Sequence, residues 1–287
     1  MAECIISLQN EFLKADISTL GATLKSVSDK DGKNFIWAGD ERSWEGSAPI
    51  LFPFCGGLNN DKFRYGAKEY TMGRHGYIRF KEFRVEEQSA HEVTLVSDSD
   101  SDTLQCYPFS YSFKANFKLC ERSLITTYTV ENKTKSTMYF SVGAHEGYAL
   151  RSDISNYSLT FDKNEDVPTY EFGTPIDSTS IRDVGSASVL TLCDSQFNDG
   201  LIAFSSIRSK EVSLACECKG HEIKVEFPDA TFLSLWKIPG ADFICIEPWN
   251  GSSDPEGYNG TLSEKEKIES IDAESSRSFT HTITFVK

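Results

Sequence analysis

From Tyr111 to Leu119 the chain alternates strictly. Tyr111, Phe113, Ala115, Phe117 and Leu119 share one parity, and Ser112, Lys114, Asn116 and Lys118 share the other. Successive side chains of a strand point to opposite faces, so this run predicts a strand with one buried face. Leu124–Val130, Ile223–Phe227 and Phe279–Phe285 repeat the pattern. Residues 5–17, 23–28, 63–71, 92–97, 158–162, 201–205, 211–216 and 243–247 are further strand candidates. Gly- and Asn-containing breaks separate them, at Lys30–Lys33, Tyr65–Ala67, Glu131–Lys133, Cys218–Gly220 and Pro239–Gly240. Glu121–Ser123 reads as a hairpin turn between two alternating runs. Helical signals are few: residues 40–45 suit one turn, and Ser263 before Glu-Lys-Glu-Lys suits a cap for another. The Ser-Asp tract 97–102 reads as a solvated loop. Many strands with short connections predict an all-β fold, a large antiparallel β-sandwich with few short helices. No stretch has linker composition, so one domain over 1–287 is expected.

Composition narrows the function more than the fold. The chain has 287 residues and a formal charge of −14. Nucleic-acid binding is driven by cations that neutralise phosphates, so no nucleic-acid partner is expected. Anionic membrane surfaces are disfavoured for the same reason. No apolar window is long enough to span a bilayer, and the start MAECIISLQNEF carries no export signal. A cytoplasmic protein with free thiols is therefore the expectation. The eight cysteines form no C-x-x-C pair. Cys216 and Cys218 form a lone C-x-C that core packing explains better than metal binding. No metal and no cofactor is expected, because nucleotide fingerprints, G-x-S-x-G and cupin-type histidine groupings are all absent.

Four places depart from strand logic. Pro49–Leu58 is an apolar run closing on Gly56-Gly57. Gly73–Arg79 sets His75 among glycines with Arg74 and Arg79. Ser141–Gly147 ends a strand at His145, again beside glycines. Phe243–Gly251 carries Glu247 at the end of an apolar strand, followed by Pro248 and Trp249. Glycine beside a histidine leaves the imidazole uncovered for a ligand. A carboxylate after Phe-Ile-Cys-Ile is desolvated, which raises its pKa and suits a general base. Trp249 offers a flat apolar ring of the kind sugars stack on. Each feature has a plainer explanation: single histidines are mostly structural, and glutamates at strand ends are mostly solvated. Chemistry alone leaves three readings open. They are a two-residue acid–base enzyme, a glycosidase using two carboxylates such as Glu247 and Asp254, and a carbohydrate-binding sandwich without catalysis.

The motifs together resemble the aldose 1-epimerase (galactose mutarotase-like) family, in particular its bacterial LacX-like branch. They run in order: Leu51–Phe54 with Gly56 and Leu58; Lys62–Gly66 with Lys68–Tyr70; His75-Gly76-Tyr77 with Arg79 and Phe83; Phe140–His145; Phe197–Ile202; Leu235-Trp236; Phe243–Trp249; and Phe279–Ile283. The resemblance covers nearly the whole chain. It implies a large antiparallel sandwich that interconverts the α and β anomers of an aldose without a cofactor. It implies that Glu247 is the general base at the C1 hydroxyl and His145 the general acid at the ring oxygen. His75 and Asp199 align with sugar-binding residues. The family commonly has an arginine where Gly57 stands, and Arg74 or Arg79 is the candidate replacement. Glu146 follows His145 and is expected to raise its pKa. The expected partner is a small-molecule sugar, bound by a monomer or homodimer. A hexose-phosphate 1-epimerase is the nearest alternative, if Arg64, Arg74, Arg79 and Lys81 cluster. A non-catalytic sugar-binding or sensing protein is the other.

Overall fold

A computed structural model describes residues 3–170, 176, 181–217 and 221–286. The break at Cys218–Gly220, and Cys218 with it, lies outside the described residues. Within them every strand pair is antiparallel. The largest sheet has ten strands. Its centre is the set Tyr111–Cys120, Ser123–Asn132, Ser276–Val286 and His221–Glu226. A second sheet of six strands is built on Phe243–Asn250 and Phe232–Trp236, and a third pairs Ile5–Gln9, Leu13–Ser18 and Leu24–Asp29. The all-β antiparallel expectation holds.

Burial follows the period-two pattern where one face is wet. Ser123–Asn132 alternates half-buried and buried residues along its whole length. Its partner Tyr111–Cys120 is held in register from Tyr111 opposite Asn132 to Cys120 opposite Ser123, with the turn at Glu121–Arg122 as the pattern predicts. Phe243–Asn250 is different: all eight residues are buried. Both faces of that strand are covered, so its sequence shows no alternation.

Several local expectations change. The candidate 5–17 divides into two strands because the Asn10 Oδ1 accepts from the N–H groups of Phe12 and Leu13 and makes a turn. Residues 63–71 are likewise a hairpin, Lys62–Tyr65 with Lys68–Thr71. The Ser-Asp tract is not a loop throughout. Its first two residues finish the strand Glu92–Asp98, and Asp100 caps the helix Ser101–Cys106 by accepting from Asp102 N–H and Thr103 N–H. Residues 40–45 turn without becoming helical, and the late short helix is Leu262–Glu264, capped by Thr261 rather than Ser263.

One cluster of buried apolar side chains runs from Ile6 to Phe285 and includes most of the phenylalanines. A smaller one joins Leu51, Cys55, Leu201, Ala203, Phe232 and Trp249, with Trp236 packed against it. The loop after Phe243–Asn250 is tied down by a buried ion pair, Lys265 Nζ to Asp254 Oδ1 at 2.5 Å. The other carboxylate oxygen accepts from Asn59 N–H at 2.9 Å. Removing one partner of such a pair leaves an uncompensated buried charge. Lys265→Met should therefore lower the unfolding free energy in urea by about 3–5 kcal/mol, and adding Asp254→Asn should recover much of the loss.

Candidate active site

The ladder beside Phe243–Asn250 is interrupted, and the interruption seats His145. Val142–Gly143 pairs with the strand at Trp249–Asn250, and Glu146–Ala149 pairs with it from Phe243 to Ile246. Between them the facing residues are Glu247 and Pro248, and Pro248 has no N–H to give. Its carbonyl accepts from Ala144 N–H at 3.1 Å, and the register runs on across the gap unshifted, so His145 faces Glu247. His145 Nε2 comes to 3.5 Å from Glu247 Oε2. The two predicted acid–base residues meet, although they are far apart in the chain. His145 is 8% exposed and Glu247 1%.

His75 enters from a loop docked on the Pro49–Leu58 run. Its N–H donates to Gly56 C=O at 2.9 Å, and Gly56 N–H donates to its Nδ1 at 3.1 Å. A ring nitrogen that accepts is unprotonated, so the neutral tautomer carries its hydrogen on Nε2 and offers it to the cavity. The two imidazoles stand edge to face, 5.4 Å between centroids.

The cavity they share is about 610 Å³. His75, His145, Glu247, Arg74, Arg79 and Trp249 line it, together with Trp44, Trp236, Pro49, Gly46, Gly200 and Leu201. Asp199 is exposed and lies outside the lining, while the two residues after it are part of it. Trp249 differs from expectation. It is fully buried and stacked on Phe232, with centroids 5.0 Å apart and planes 7° apart, so it has no open face for a sugar. The aromatic walls come instead from Trp44 and Trp236, which pack at 5.3 Å and 5.7 Å from His145. No strand pattern marks Trp44; the only signal is a tryptophan in a Ser/Gly-rich, non-alternating stretch. Glycine makes its place: a Cβ on Gly147 would sit 2.8 Å from the Trp44 ring, and one on Gly143 would sit 2.5 Å from Trp249.

Charges divide around the site. Arg79 donates through Nη2 to Arg74 C=O at 3.0 Å. The Arg74 guanidinium reaches over Gly57, and a Cβ built on Gly57 would be 3.5 Å from its Nη2. A guanidinium thus stands beside the position where the family arginine is missing. Arg64 lines a different cavity and Lys81 pairs with Asp100, so the four cations do not cluster. Asp254 is engaged by Lys265 and does not line the cavity with Glu247, so among the described residues the two-carboxylate glycosidase reading has no second carboxylate there.

Burial is the main influence on both histidines. It holds His145 down to about 4; Glu146 pushes upward but is outweighed. The expected net rise does not occur because burial outweighs that push; the Glu146 carboxylate itself meets His281 Nε2 at 2.9 Å. Burial also takes His75 well below its ordinary value, helped by His145, Arg79 and Arg74. Among the described residues one group has metal-ligand character: His145, Cys245 and Glu247, whose donor atoms lie within 4.8 Å of one another. Burial raises the Cys245 thiol well above its usual range, which opposes the thiolate a metal needs. Cys216, the described half of the C-x-C, is a buried core residue. No helix among the described residues is long and apolar enough to cross a membrane.

The plasmid-encoded protein LacX of Lactococcus lactis subsp. lactis is 30% identical over 281 residues, covering 93% of this chain and 94% of LacX. A galactose mutarotase related enzyme from Lactobacillus acidophilus superposes with a TM-score of 0.89 at 27% identity, covering 99% of this chain and 98% of that one. A galactose mutarotase-like protein from Lactobacillus casei ATCC 334 gives 0.88 at 28% identity, covering 98% and 100%. Residues 5–269 match the aldose 1-epimerase family. The chain belongs to the aldose 1-epimerase family.

Proposed function

We propose that this protein interconverts the anomers of a free aldose by acid–base ring opening and closure, with no cofactor. The observation that carries the reading is the 3.5 Å approach of His145 to Glu247 in the wall of a sugar-sized cavity. The two reacting oxygens of an aldose are attached to the same carbon, so an acid and a base must converge on a small volume. Glu247 takes the proton from the C1 hydroxyl. The C1–O1 bond becomes double as the bond from C1 to the ring oxygen breaks. The ring oxygen takes a proton from His145. Rotation about C1–C2 and reversal of the steps closes the other anomer.

The competent form has Glu247 as carboxylate and His145 as imidazolium, protonated on both ring nitrogens. Burial makes that imidazolium scarce, and for the same reason a strong acid towards the ring oxygen. His75, held with its Nε2–H towards the cavity, is assigned to binding near the ring oxygen. Arg74 and Arg79 are assigned to sugar hydroxyls, and Asp199 to contacts at the rim. The dispersal of Arg64 and Lys81 supports a neutral sugar over a phosphorylated one.

Exchange NMR on free and phosphorylated aldoses tests the reading. Wild-type protein should accelerate anomer exchange of at least one free aldose. Glu247→Gln and His145→Gln should each lose about 10²–10⁴-fold in kcat. Arg74→Ala and Arg79→Ala should each raise KM roughly tenfold or more, the usual cost of a lost charged hydrogen bond. Acceleration of no sugar by wild type would overturn the enzyme reading and leave the sugar-binding one. The pH dependence of stability has a defined sign. His145 binds its proton near 4 when folded against an ordinary 6.5, so the folded state is under-protonated between those values. The stabilisation from this group is complete above about pH 6.5 and is lost as pH falls towards 4, by up to about 3 kcal/mol. Urea unfolding at pH 7 and pH 4.5 should show a steeper decline for wild type than for His145→Gln; equal declines would contradict the assignment.

A further inference from the structure

The strands that carry the reacting pair set a third group in line with it. His145 faces Glu247 across one ladder, since Gly143 lies opposite Trp249 and Glu146 opposite Ile246 in a single register. Across the other ladder Glu247 lies opposite Ser234. Three adjacent strands thus place an imidazole, a carboxylate and a hydroxyl on one rung. Directly opposite residues share a face of the sheet, with Cβ atoms about 4.5–5.5 Å apart. The shared face is visible one step along, where Phe232 lies opposite Trp249 and the two rings stack at 5.0 Å. On the other side of Ser234, Trp236 lines the cavity together with Glu247. Ser234 itself is fully buried, and its Oγ has no hydrogen-bond partner among the described residues. An orphaned buried hydroxyl is destabilising, and alanine would fill the same place without that cost. The residue facing it across the ladder is one that gains from a donor.

We propose that Ser234 is a positioning residue for the reaction: its hydroxyl donates to the Glu247 carboxylate, keeps that group ionised and fixes which lone pairs it turns to the C1 hydroxyl. This rests on the anomer-interconversion reading above. A serine hydroxyl moves among three staggered positions by rotation about one bond, so it can follow the carboxylate. A carboxylate has about four acceptor sites on its two oxygens, so one donor behind it leaves the others for the sugar. Burial alone favours the neutral acid, which cannot take a proton, and a donor to the charged form opposes that. The other titratable or charged groups around Glu247 are His145, His75, Arg74 and Arg79 of the cavity wall and the thiols of Cys55 and Cys245. Exchanging Ser234 for alanine alters none of them, so a change in the titration of Glu247 belongs to the lost hydroxyl.

Ser234→Ala and Ser234→Thr test the proposal, with Glu247→Gln as the reference and folding checked by circular dichroism. In infrared titration, the carboxyl C=O band that Glu247→Gln removes should be half-developed at a pH about one unit or more higher in Ser234→Ala than in wild type, the effect of losing one hydrogen bond to a charged group. In exchange NMR the kcat deficit of Ser234→Ala should deepen as pH falls, to about tenfold, while KM stays within about threefold of wild type. Ser234→Thr keeps a hydroxyl and should restore both readouts. If the alanine protein does not fold, Ser234→Cys, close in size and only a weak donor, takes its place with the same expected shifts. An unmoved carboxyl titration in the folded variant, or a kcat loss of the same factor at every pH, would overturn the role of Ser234 while leaving anomer interconversion intact. Acceleration of no sugar by wild-type protein would overturn the earlier reading, and the positioning role with it.

Discussion

The structure is organised around a carboxylate that water scarcely reaches. Glu247 sits in a strand whose eight residues are all buried, opposite Ser234 and next to a proline. Burying an ionisable group among apolar neighbours is costly unless it finds a partner. Here the partner is His145, which faces it across the ladder beside a gap in hydrogen bonding at Pro248. Proline in an inner strand is ordinarily a defect. In this fold it removes one ladder hydrogen bond opposite Ala144, and the unshifted register sets the imidazole of the next residue directly across from the carboxylate.

A second acid–imidazole contact supports the first. Glu146 follows His145 and engages His281, a residue of the strand Ser276–Val286 in the large sheet. Both groups are buried. One contact belongs to the cavity and the other ties the same segment to the opposite layer. The six-stranded sheet therefore presents the reacting pair while the ten-stranded sheet holds its backbone. Gly143 and Gly147 flank this segment, and their missing side chains let Trp249 and Trp44 close around it.

Much of this was legible in the sequence, for identifiable reasons. Period-two alternation marked the half-exposed strands, because each residue there sees either core or water. The motifs around His75, His145 and Glu247 pointed to residues that the fold does bring together. What was hidden depends on distant packing. Trp44 belongs to no periodic element, so only its neighbours in space reveal its place in the cavity wall. Trp249 looked like an open platform because nothing local says that Phe232 covers it. Glu146 looked like a charge that would raise the pKa of His145, and it does push upward, but nothing local says that burial outweighs it or that its carboxylate meets His281. Asp100 looked solvated because its cap depends on the Thr103 hydroxyl and the N–H groups that follow it.

The position of the strand Ser276–Val286 has a consequence for how the protein is made. It lies inside the ten-stranded sheet, between Ser123–Asn132 and His221–Glu226, not at an edge. Until it has been synthesised, the sheet remains two separate parts, each with an unpaired inner edge. Exposed edges of this kind pair with other chains. Pairings between such distant segments also form slowly. A nascent chain on the ribosome thus carries the Ser123–Asn132 edge unpaired until Ser276–Val286 follows, and only that strand seals it.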